Sequence, residues 1–262
     1  MNPRVNSLLN LFLRWAHVVA GITWIGHLYF FNWVNGPFQG KIDGGTKRAV
    51  NPELMPRALF WFRWGAAWTW ITGILLAGLV YYQVRQQLFD DMYQNNNPWL
   101  WLAVYLVMLA VGFVIYNAIM KALANKVLAA GICLVLYAGV YAVLEFCGHY
   151  GGRSLYIHAG ATFGTMMALN VWMLIWPNQQ KIINATKAGS PLPADSAEVK
   201  IAGLRSRHNT YMSVPLVFFM ISNHYPEVYG SEYRDAYAAG VIILGLLMTR
   251  VLYNKAAKVP GF

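Results

Sequence analysis

Long apolar runs recur along the chain and constrain its fold more than any other feature. Residues 98–120, for example, contain no charged side chain. A helix that crosses a bilayer needs about 20 mainly apolar residues, and several runs of that length are present. Only 11% of the 262 residues are charged, whereas a soluble domain carries about 25%. The sequence therefore predicts an all-α, polytopic transmembrane helix bundle surrounded by a lipid bilayer.

The apolar runs predict about seven spans in a single integral membrane helical domain that covers residues 1–262. The expected spans lie at about 12–34, 57–82, 98–120, 126–147, 155–176, 208–225 and 236–254. Two longer connections, about 35–56 and 177–207, are predicted to be cytoplasmic loops. The first is rich in Gly and Pro, and the second is expected to hold a short surface helix before a proline-containing linker. No small-residue cleavage site follows a short apolar core, so the first span is expected to be its own insertion signal.

The distribution of Lys and Arg predicts the orientation of the spans. Five of these residues fall on the side of the N-terminus and fifteen on the opposite side. Because cytoplasmic loops carry the excess of positive charge, we expect the N-terminus outside and the C-terminus in the cytoplasm. The net charge of +10 is thereby explained as topology, and no nucleic-acid partner is expected.

Histidines at matched depth form the first candidate site. In this orientation His17, His149, His158 and His224 lie toward the outer side, on or beside different spans. Ionisable side chains within spans are rare and mark functional sites, and histidines from different helices can hold haem iron. His149 sits among glycines and is interpreted as a loop residue, which leaves His17, His158 and His224 as candidate iron ligands. The alternative is that all of them are interfacial hydrogen-bonding residues.

Other cysteine and metal chemistry has less support. A structural zinc site needs tight groups of Cys, His or carboxylate ligands, and only Glu145 and Cys147 near His149 resemble one. Cys133 and Cys147 are 14 residues apart on one predicted helix, about 21 Å along its axis. They cannot form a disulfide, which requires Cα atoms within about 7 Å. The chain has no CxxCH motif and therefore no signature of covalently attached haem.

Arg63 marks a second candidate site, inside the second predicted span. It lies beside Trp64 in the stretch LFWFRWGAAWTWITG. One interpretation is an arginine that extends toward the membrane surface and packs on aromatic rings. The other is a partner for an anion, such as a haem propionate or an acidic substrate. His27 and His208 are the further residues expected at such an inner site.

Four stretches of the sequence carry a family resemblance. They are LRWAHVVAGITWIG (13–26), LFWFRWGAAWTWITG (59–73), IHAGATFGTMMALNVWMLIWPNQQK (157–181) and HNTYMSVPLVFFMISNHYP (208–226). Together, and in this order, they resemble the membrane domain of the bacterial cytochrome-c-linked urate oxidases, the membrane-bound urate hydroxylases. The resemblance implies a multi-pass oxidoreductase of the bacterial inner membrane, active in purine degradation and electron transport, with haem b as cofactor. His17, His158, His208 and His224 fall on positions that look like the family's histidines, whereas His27 and His149 do not.

Two departures from the family pattern accompany the resemblance. The family leads us to expect a further span and a C-terminal cytochrome c domain, which the sequence to Phe262 lacks. The family's second span more typically reads His-Trp-Phe-Lys-Trp-Glu, whereas residues 60–65 read FWFRWG, without that His and Glu. Urate oxidation itself is therefore a weaker expectation than electron transfer.

Two functions of different classes follow from the resemblance. In the first, the chain binds haem b and exchanges electrons with a periplasmic cytochrome c or a quinone. Arg14 and Arg153 then face the haem propionates, and a purine stacks on the tryptophans and pairs with Arg63. In the second, the chain is a non-catalytic accessory subunit of a larger respiratory or photosynthetic membrane complex, in contact with other subunits or with copies of itself. A transporter is less favoured, because the chain has no internal repeat and little intramembrane acid apart from Glu145.

Overall fold

Helices account for nearly the whole structure, a computed structural model that describes residues 3–259. The structure is 86% helical, and the described residues contain no strand and only one isolated bridge, between Phe89 and Tyr150. The helices are α1 Pro3–Tyr29, α2 Gly36–Gln39, α3 Gly44–Ala77, α4 Arg85–Leu88, α5 Pro98–Ala122, α6 Lys126–Ala142, α7 Gly152–Leu169, α8 Trp176–Lys187, α9 Ala197–Ile221, α10 Pro226–Tyr229 and α11 Arg234–Ala256. The prediction of an all-α bundle is confirmed.

Six helical runs of the described chain are long and apolar enough to cross a membrane. They are Pro3–Gln39, Gly44–Tyr82, Pro98–Ala122, Lys126–Cys147, Gly152–Lys187 and Arg234–Ala256. They correspond to six of the seven predicted spans, and they imply a bilayer environment for the protein. Cys133 and Cys147 lie on one of these runs, and neither forms a disulfide in the described structure.

The remaining predicted span, 208–225, corresponds to α9, which has 25 residues but a polar first half. Asn209, Thr210 and Ser213 of this helix are fully buried. Their polar groups are hydrogen-bonded within the protein; Asn209 Nδ2, for instance, donates to the carbonyl oxygen of Met167 at 3.0 Å. A helix covered by its neighbours needs polar partners rather than an apolar surface, which explains why α9 lacks the hydropathy of a lipid-facing span.

The two connections predicted as cytoplasmic loops contain more helix than expected, although a short helix before the linker was predicted for the second and α8 provides it. The segment 35–56 contains α2 and the first part of α3, and the segment 177–207 contains most of α8 and the first part of α9. Asp43 caps the start of α3, because its Oδ1 accepts the backbone N–H groups of Gly45 and Thr46, which would otherwise lack partners. Pro52 and Pro56 lie inside α3 without ending it. The linker that was predicted to contain proline is confined to residues 188–196.

Asparagine caps determine where the two most apolar helices begin. Asn97 Oδ1 accepts the N–H groups of Trp99 and Leu100 at the start of α5. Asn125 Oδ1 does the same for the N–H groups of residues 127 and 128 at the start of α6. Such caps satisfy the first amide groups of a helix and define its entry. The Asn-Pro pair at 97–98 also places proline at the first helical position, where its missing N–H costs nothing.

Four π-helical segments continue the long helices in the described chain. They are Phe30–Asn35, Gly78–Tyr82, Val143–Cys147 and Asn170–Ile175. Single π turns are rare and occur frequently at functional sites, because the wider turn changes the direction in which later side chains point. The polar side chains that they carry are Asn32, Asn35, Tyr81, Tyr82, Glu145 and Asn170.

Contacts divide the chain into two compact units. The first contains residues up to 10, 74–166 and 216–239, and the second contains 11–73, 167–215 and the residues from 240. The core of the first unit is rich in tyrosine, with Tyr82, Tyr105 and Tyr150 among its buried residues. In the second unit α1 and α3 approach closely, since a Cβ atom on Gly65 would lie 3.0 Å from the backbone nitrogen of Trp24. The prediction of one domain for residues 1–262 stays a prediction.

Candidate functional site

A cleft of about 780 Å³ lies within the second unit. Its walls come from the π-helical segment Phe30–Asn35, from α3, from the end of the fifth span and α8, and from α9 and α11. The polar side chains of the lining are Asn32, Asn35, Gln179, Ser206, Arg207, Tyr253 and Asn254. Apolar lining comes from Phe31, Met55, Leu59, Phe62 and Ile175, among others. A concave site with a few polar groups on an apolar wall is the usual form of a small-molecule site.

One hydrogen-bonded group holds three helical segments together at the cleft wall. Asn32 Nδ2 donates to Ser206 Oγ at 2.8 Å and to the carbonyl oxygen of Leu28 at 2.9 Å. Tyr253 Oη donates to Asn32 Oδ1, also at 2.8 Å. The carboxamide of Asn32 is therefore fully engaged, and its role is to position Ser206 and Tyr253 rather than to bind a ligand.

Two carboxamides of the lining are available to a ligand. The side chains of Gln179 and Asn254 line the cleft and make no hydrogen bond within residues 3–259. A carboxamide offers a donor and an acceptor side by side, which matches the C=O and N–H edge of a cyclic amide. These two residues can recognise a ligand whose rim carries such edges.

Arg207 provides the positive charge of the cleft. Its guanidinium carbon lies 5.2 Å from the centre of the Tyr253 ring, and no carboxylate of the described chain lies within ion-pair distance of it. The described lining contains no Asp, Glu, His, Lys or Cys. The cleft is therefore suited to bind an anion by charge, amide hydrogen bonds and aromatic contact.

His158 lies at the centre of a buried polar cluster in the first unit, with only 2% of its surface exposed. Its Nδ1 lies 2.7 Å from the carbonyl oxygen of Ser154. Since a carbonyl can only accept, Nδ1 carries the proton and Nε2 accepts from Tyr82 Oη at 2.8 Å. Tyr82 Oη is in turn 3.2 Å from Tyr150 Oη. The Tyr105 ring packs edge-on at 5.0 Å from the imidazole.

The hydrogen bonds of this cluster affect whether His158 can bind haem iron, because both of its ring nitrogens are already bonded to other residues. Nε2 could bind iron only after Tyr82 had left it, so His158 does not fit an axial ligand in this arrangement. His224, also in the first unit, is exposed at the end of the 3₁₀ turn Ser222–His224. His158 and His224 share no contact in the described structure.

His17, in the second unit, fits the pattern of a ligating histidine better. Its Nδ1 lies 3.1 Å from Thr72 Oγ1, and the Thr72 hydroxyl donates to the carbonyl oxygen of Trp68 at 2.6 Å. Thr72 therefore accepts the proton of Nδ1, which leaves Nε2 of His17 as the unprotonated nitrogen. A second hydrogen bond of this kind orients metal-bound imidazoles. Arg14 lies one turn before His17 on α1.

Arg153 has a structural role in the first unit. Its Nε donates to Asn223 Oδ1 at 2.6 Å, and its Nη1 donates to Gln87 Oε1 at 2.9 Å. Tyr81 Oη donates to the same Asn223 oxygen at 3.0 Å. Arg153 thus ties the start of α7 to α4 and to the turn beside His224. The prediction that Arg153 faces a haem propionate stays untested.

Arg63 and Trp64 lie in an aromatic group of the second unit. The Arg63 guanidinium carbon stacks 3.7 Å from the centre of the Trp176 ring, and the Trp64 ring meets Trp172 edge-on at 5.4 Å. His27 Nδ1 bonds instead to the carbonyl oxygen of Thr23, one turn earlier on its own helix, at 2.7 Å. This bond turns the His27 ring toward its own helix, and the prediction of an inner site that joins His27, Arg63 and His208 stays a prediction.

No group of three or more His, Cys, Asp or Glu in the described chain could hold a metal ion. Glu145, Cys147 and His149, the residues of the zinc alternative, lie in separate surroundings. Glu145 pairs with Arg234 at 2.8 Å, Cys147 is exposed, and the His149 ring stacks on Tyr93 at 3.6 Å.

The cleft residues were not singled out by the sequence patterns. Asn32 and Asn35 stand in the apolar stretch FFNWVN, and amides in such a stretch are a signal that could have identified them. Gln179, Arg207 and Asn254 lie near predicted span ends, where polar residues are ordinary. Only their convergence in three dimensions distinguishes them.

The fold and the cleft define a polytopic helical membrane protein with a polar cleft of ligand size. The family model described as urate oxidase N-terminal matches two overlapping stretches, residues 3–46 and 39–260. The chain therefore belongs to the urate oxidase N-terminal family, and the resemblance found in its sequence is confirmed. No curated protein and no solved structure matches the chain.

Proposed function

We propose that the chain is the membrane-embedded, purine-binding unit of a urate-oxidase-type oxidoreductase, and that its cleft takes urate or a closely related purine anion. The observation that carries the proposal is the combination of Arg207 with the unbonded amides of Gln179 and Asn254 in one cleft. By the distribution of Lys and Arg, this cleft opens on the cytoplasmic side.

The chemistry of urate agrees with this lining. Urate is a flat monoanion at neutral pH, and its rim consists of alternating C=O and N–H groups. Gln179 and Asn254 can each pair with one such edge, and Arg207 supplies the countercharge. Phe31, Phe62 and Tyr253 provide aromatic surface for the ring faces. The cleft residues take the place of Arg63 and Trp64, which the sequence had predicted to hold a purine.

Replacing Arg207 with glutamine is expected to weaken urate binding about tenfold, because a hydrogen bond to a charged group contributes about 1.5–3 kcal/mol. Isothermal titration calorimetry of the purified protein in detergent measures this directly. Lys200→Gln is the matched control, since it removes one exposed positive charge from the same helix outside the cleft. Equal weakening in both variants, or no urate binding by the unaltered protein, would contradict the proposal.

Haem b, with electron exchange to a periplasmic cytochrome c or a quinone, remains part of the proposal as a prediction. Haem would supply one-electron chemistry when bound. Of the three candidate ligands, His17 fits best, because Thr72 holds its Nδ1 proton and leaves Nε2 unprotonated. His17 would hold the iron, and His158 would keep its bond to Tyr82.

A reduced-minus-oxidised visible spectrum tests this assignment. We expect a b-type α band in the unaltered protein, its loss in His17→Leu, and its persistence in His224→Ala. A folded preparation without any chromophore would reject haem. Loss of the band in His224→Ala alone would reject His17 as the ligand. Urate binding without turnover in the presence of an electron acceptor would favour the accessory-subunit alternative.

A further inference from the structure

A second cavity, of about 480 Å³, lies on the seam between α3 and α8 in the second unit. Glu53, Arg57, Phe60 and Trp61 of α3 line it together with Lys187, the last residue of α8. It is separate from the purine cleft, because Met55, Leu59 and Phe62 line the cleft from other positions on α3. A ligand of this cavity would therefore contact different residues from a ligand of the cleft.

One end of the seam carries an excess positive charge. Arg57 Nη1 pairs with Glu53 Oε2 at 2.7 Å, which neutralises both groups. Lys187 is exposed and has no ion-pair partner among residues 3–259. Glu53 also feels the charge of Lys187, so Glu53, Arg57 and Lys187 together give the lining a net charge of +1. The Arg57 guanidinium retains further N–H donors.

The other end of the seam is aromatic. The Phe60 and Trp61 side chains are 43% and 57% exposed. Next to them Arg63 stacks on Trp176, and its Nε and Nη1 atoms are buried without a hydrogen-bond partner in the described structure. Trp172 Nε1 donates to the carbonyl oxygen of Arg63 at 3.0 Å and so joins the two helices there. Along α3 from Arg57 to Trp64 the surface changes from cationic to aromatic over about 10 Å.

We propose that this seam binds an anionic phospholipid, with the phosphate at Lys187 and Arg57 and the glycerol and first acyl carbons against Phe60 and Trp61. The order of cation and then aromatic rings follows the order of groups in a phospholipid from headgroup to chain. Basic pockets between membrane helices recognise anionic headgroups, and tryptophan prefers the depth of the headgroup boundary. The side of the membrane that carries most Lys and Arg is also the side of this cavity. The proposal does not depend on the purine cleft.

The test compares two lipids on the purified full-length protein in detergent. Phosphatidylglycerol and phosphatidylcholine with the same acyl chains are titrated, and binding is followed by native mass spectrometry and by the shift in Tm. We expect phosphatidylglycerol to bind at least fivefold more tightly, and Lys187→Gln to reduce that preference about fivefold, as expected for one interfacial cation. Lys121→Gln, which removes an exposed cation at the end of α5, is expected to leave the preference unchanged.

Several outcomes would overturn the proposal. Equal binding of the two lipids would remove the case for a charge-selective site. An equal effect of Lys121→Gln and Lys187→Gln would indicate general attraction to the basic surface. A Tm shift by inorganic phosphate equal to that by phosphatidylglycerol would identify an ion site rather than a lipid site. Lys187 is exposed, so Lys187→Gln is expected to fold normally. A Tm equal to that of the unaltered protein, measured without lipid, checks this.

Discussion

Replacing His158 with alanine is expected to lower the free energy of unfolding by about 3 kcal/mol, measured by denaturant titration in detergent micelles. The imidazole is almost fully buried, so its removal leaves a cavity of the kind that costs about 2–5 kcal/mol. It also leaves the Ser154 carbonyl and the Tyr82 hydroxyl without the partners that they have at 2.7 and 2.8 Å. Buried groups without partners add a penalty of about 1–3 kcal/mol, part of which relaxation recovers.

Two variants make this prediction specific. Tyr82→Phe removes only the hydroxyl and keeps the ring, so a loss of about 1 kcal/mol is expected. His224→Ala removes an exposed imidazole and is expected to leave unfolding unchanged. If His158→Ala were as harmless as His224→Ala, the buried cluster would not be the stabilising centre of the first unit.

Breaking the ion pair between Arg234 and Glu145 is expected to lower the free energy of unfolding by about as much as His158→Ala does. The pair joins the start of α11 to the π-helical segment Val143–Cys147 at 2.8 Å, and only 8% of the Glu145 side chain is exposed. Arg234→Met leaves this carboxylate buried without its countercharge, a change that costs about 3 kcal/mol. Two further hydrogen bonds hold the start of α11 beside this pair. Tyr156 Oη donates to the Arg234 carbonyl oxygen, and Tyr141 Oη donates to the Asp235 carboxylate.

A double-mutant cycle distinguishes the pair from its parts. Arg234→Met combined with Glu145→Leu replaces both charges by apolar groups, and such replacements are often close to neutral, so most of the lost stability is expected to return. Glu198→Gln is the control, because Glu198 and Lys181 form a looser pair at 3.6 Å with the lysine 64% exposed, and such pairs contribute little. Additive losses in the double variant would show that Arg234 and Glu145 do not act as a pair.

Much of the fold could be predicted from the sequence, because membrane helices follow a local rule. Backbone groups in lipid must bond within their own segment, so length and apolarity identify a span without knowledge of its neighbours. The run from Pro98 to Ala122 was predicted to within two residues. The rule fails for α9, where Asn209 is satisfied by Met167 and Asn170 of another helix and the Thr210 hydroxyl by the Ser206 carbonyl oxygen one turn earlier. It also fails at residues 44–56, where α3 continues beyond the apolar stretch after the Asp43 cap.

The candidate site could be predicted only in part. The prediction that His158 is a haem ligand stays a prediction. The tautomer of His158 could not be predicted, because it depends on Ser154 and on Tyr82, which is 76 residues away in the chain. The cleft was missed, because its lining residues lie on segments that are far apart in the sequence and are individually ordinary. Arg63 was recognised as unusual, and in the structure its guanidinium stacks on the Trp176 ring.

The sequence by itself determined that this protein is a helical membrane protein of the urate oxidase N-terminal family, since span hydropathy and family motifs are properties of contiguous residues. Only the tertiary structure decided which polar groups are free to bind. Hydrogen bonds between distant segments engage His158, Asn32 and Arg153, and they leave Gln179 and Asn254 open toward a cleft. A polar side chain can bind a ligand only if no other residue of the protein already bonds it. Those bonding residues lie far apart in the sequence, so only the tertiary structure identifies the side chains that are left.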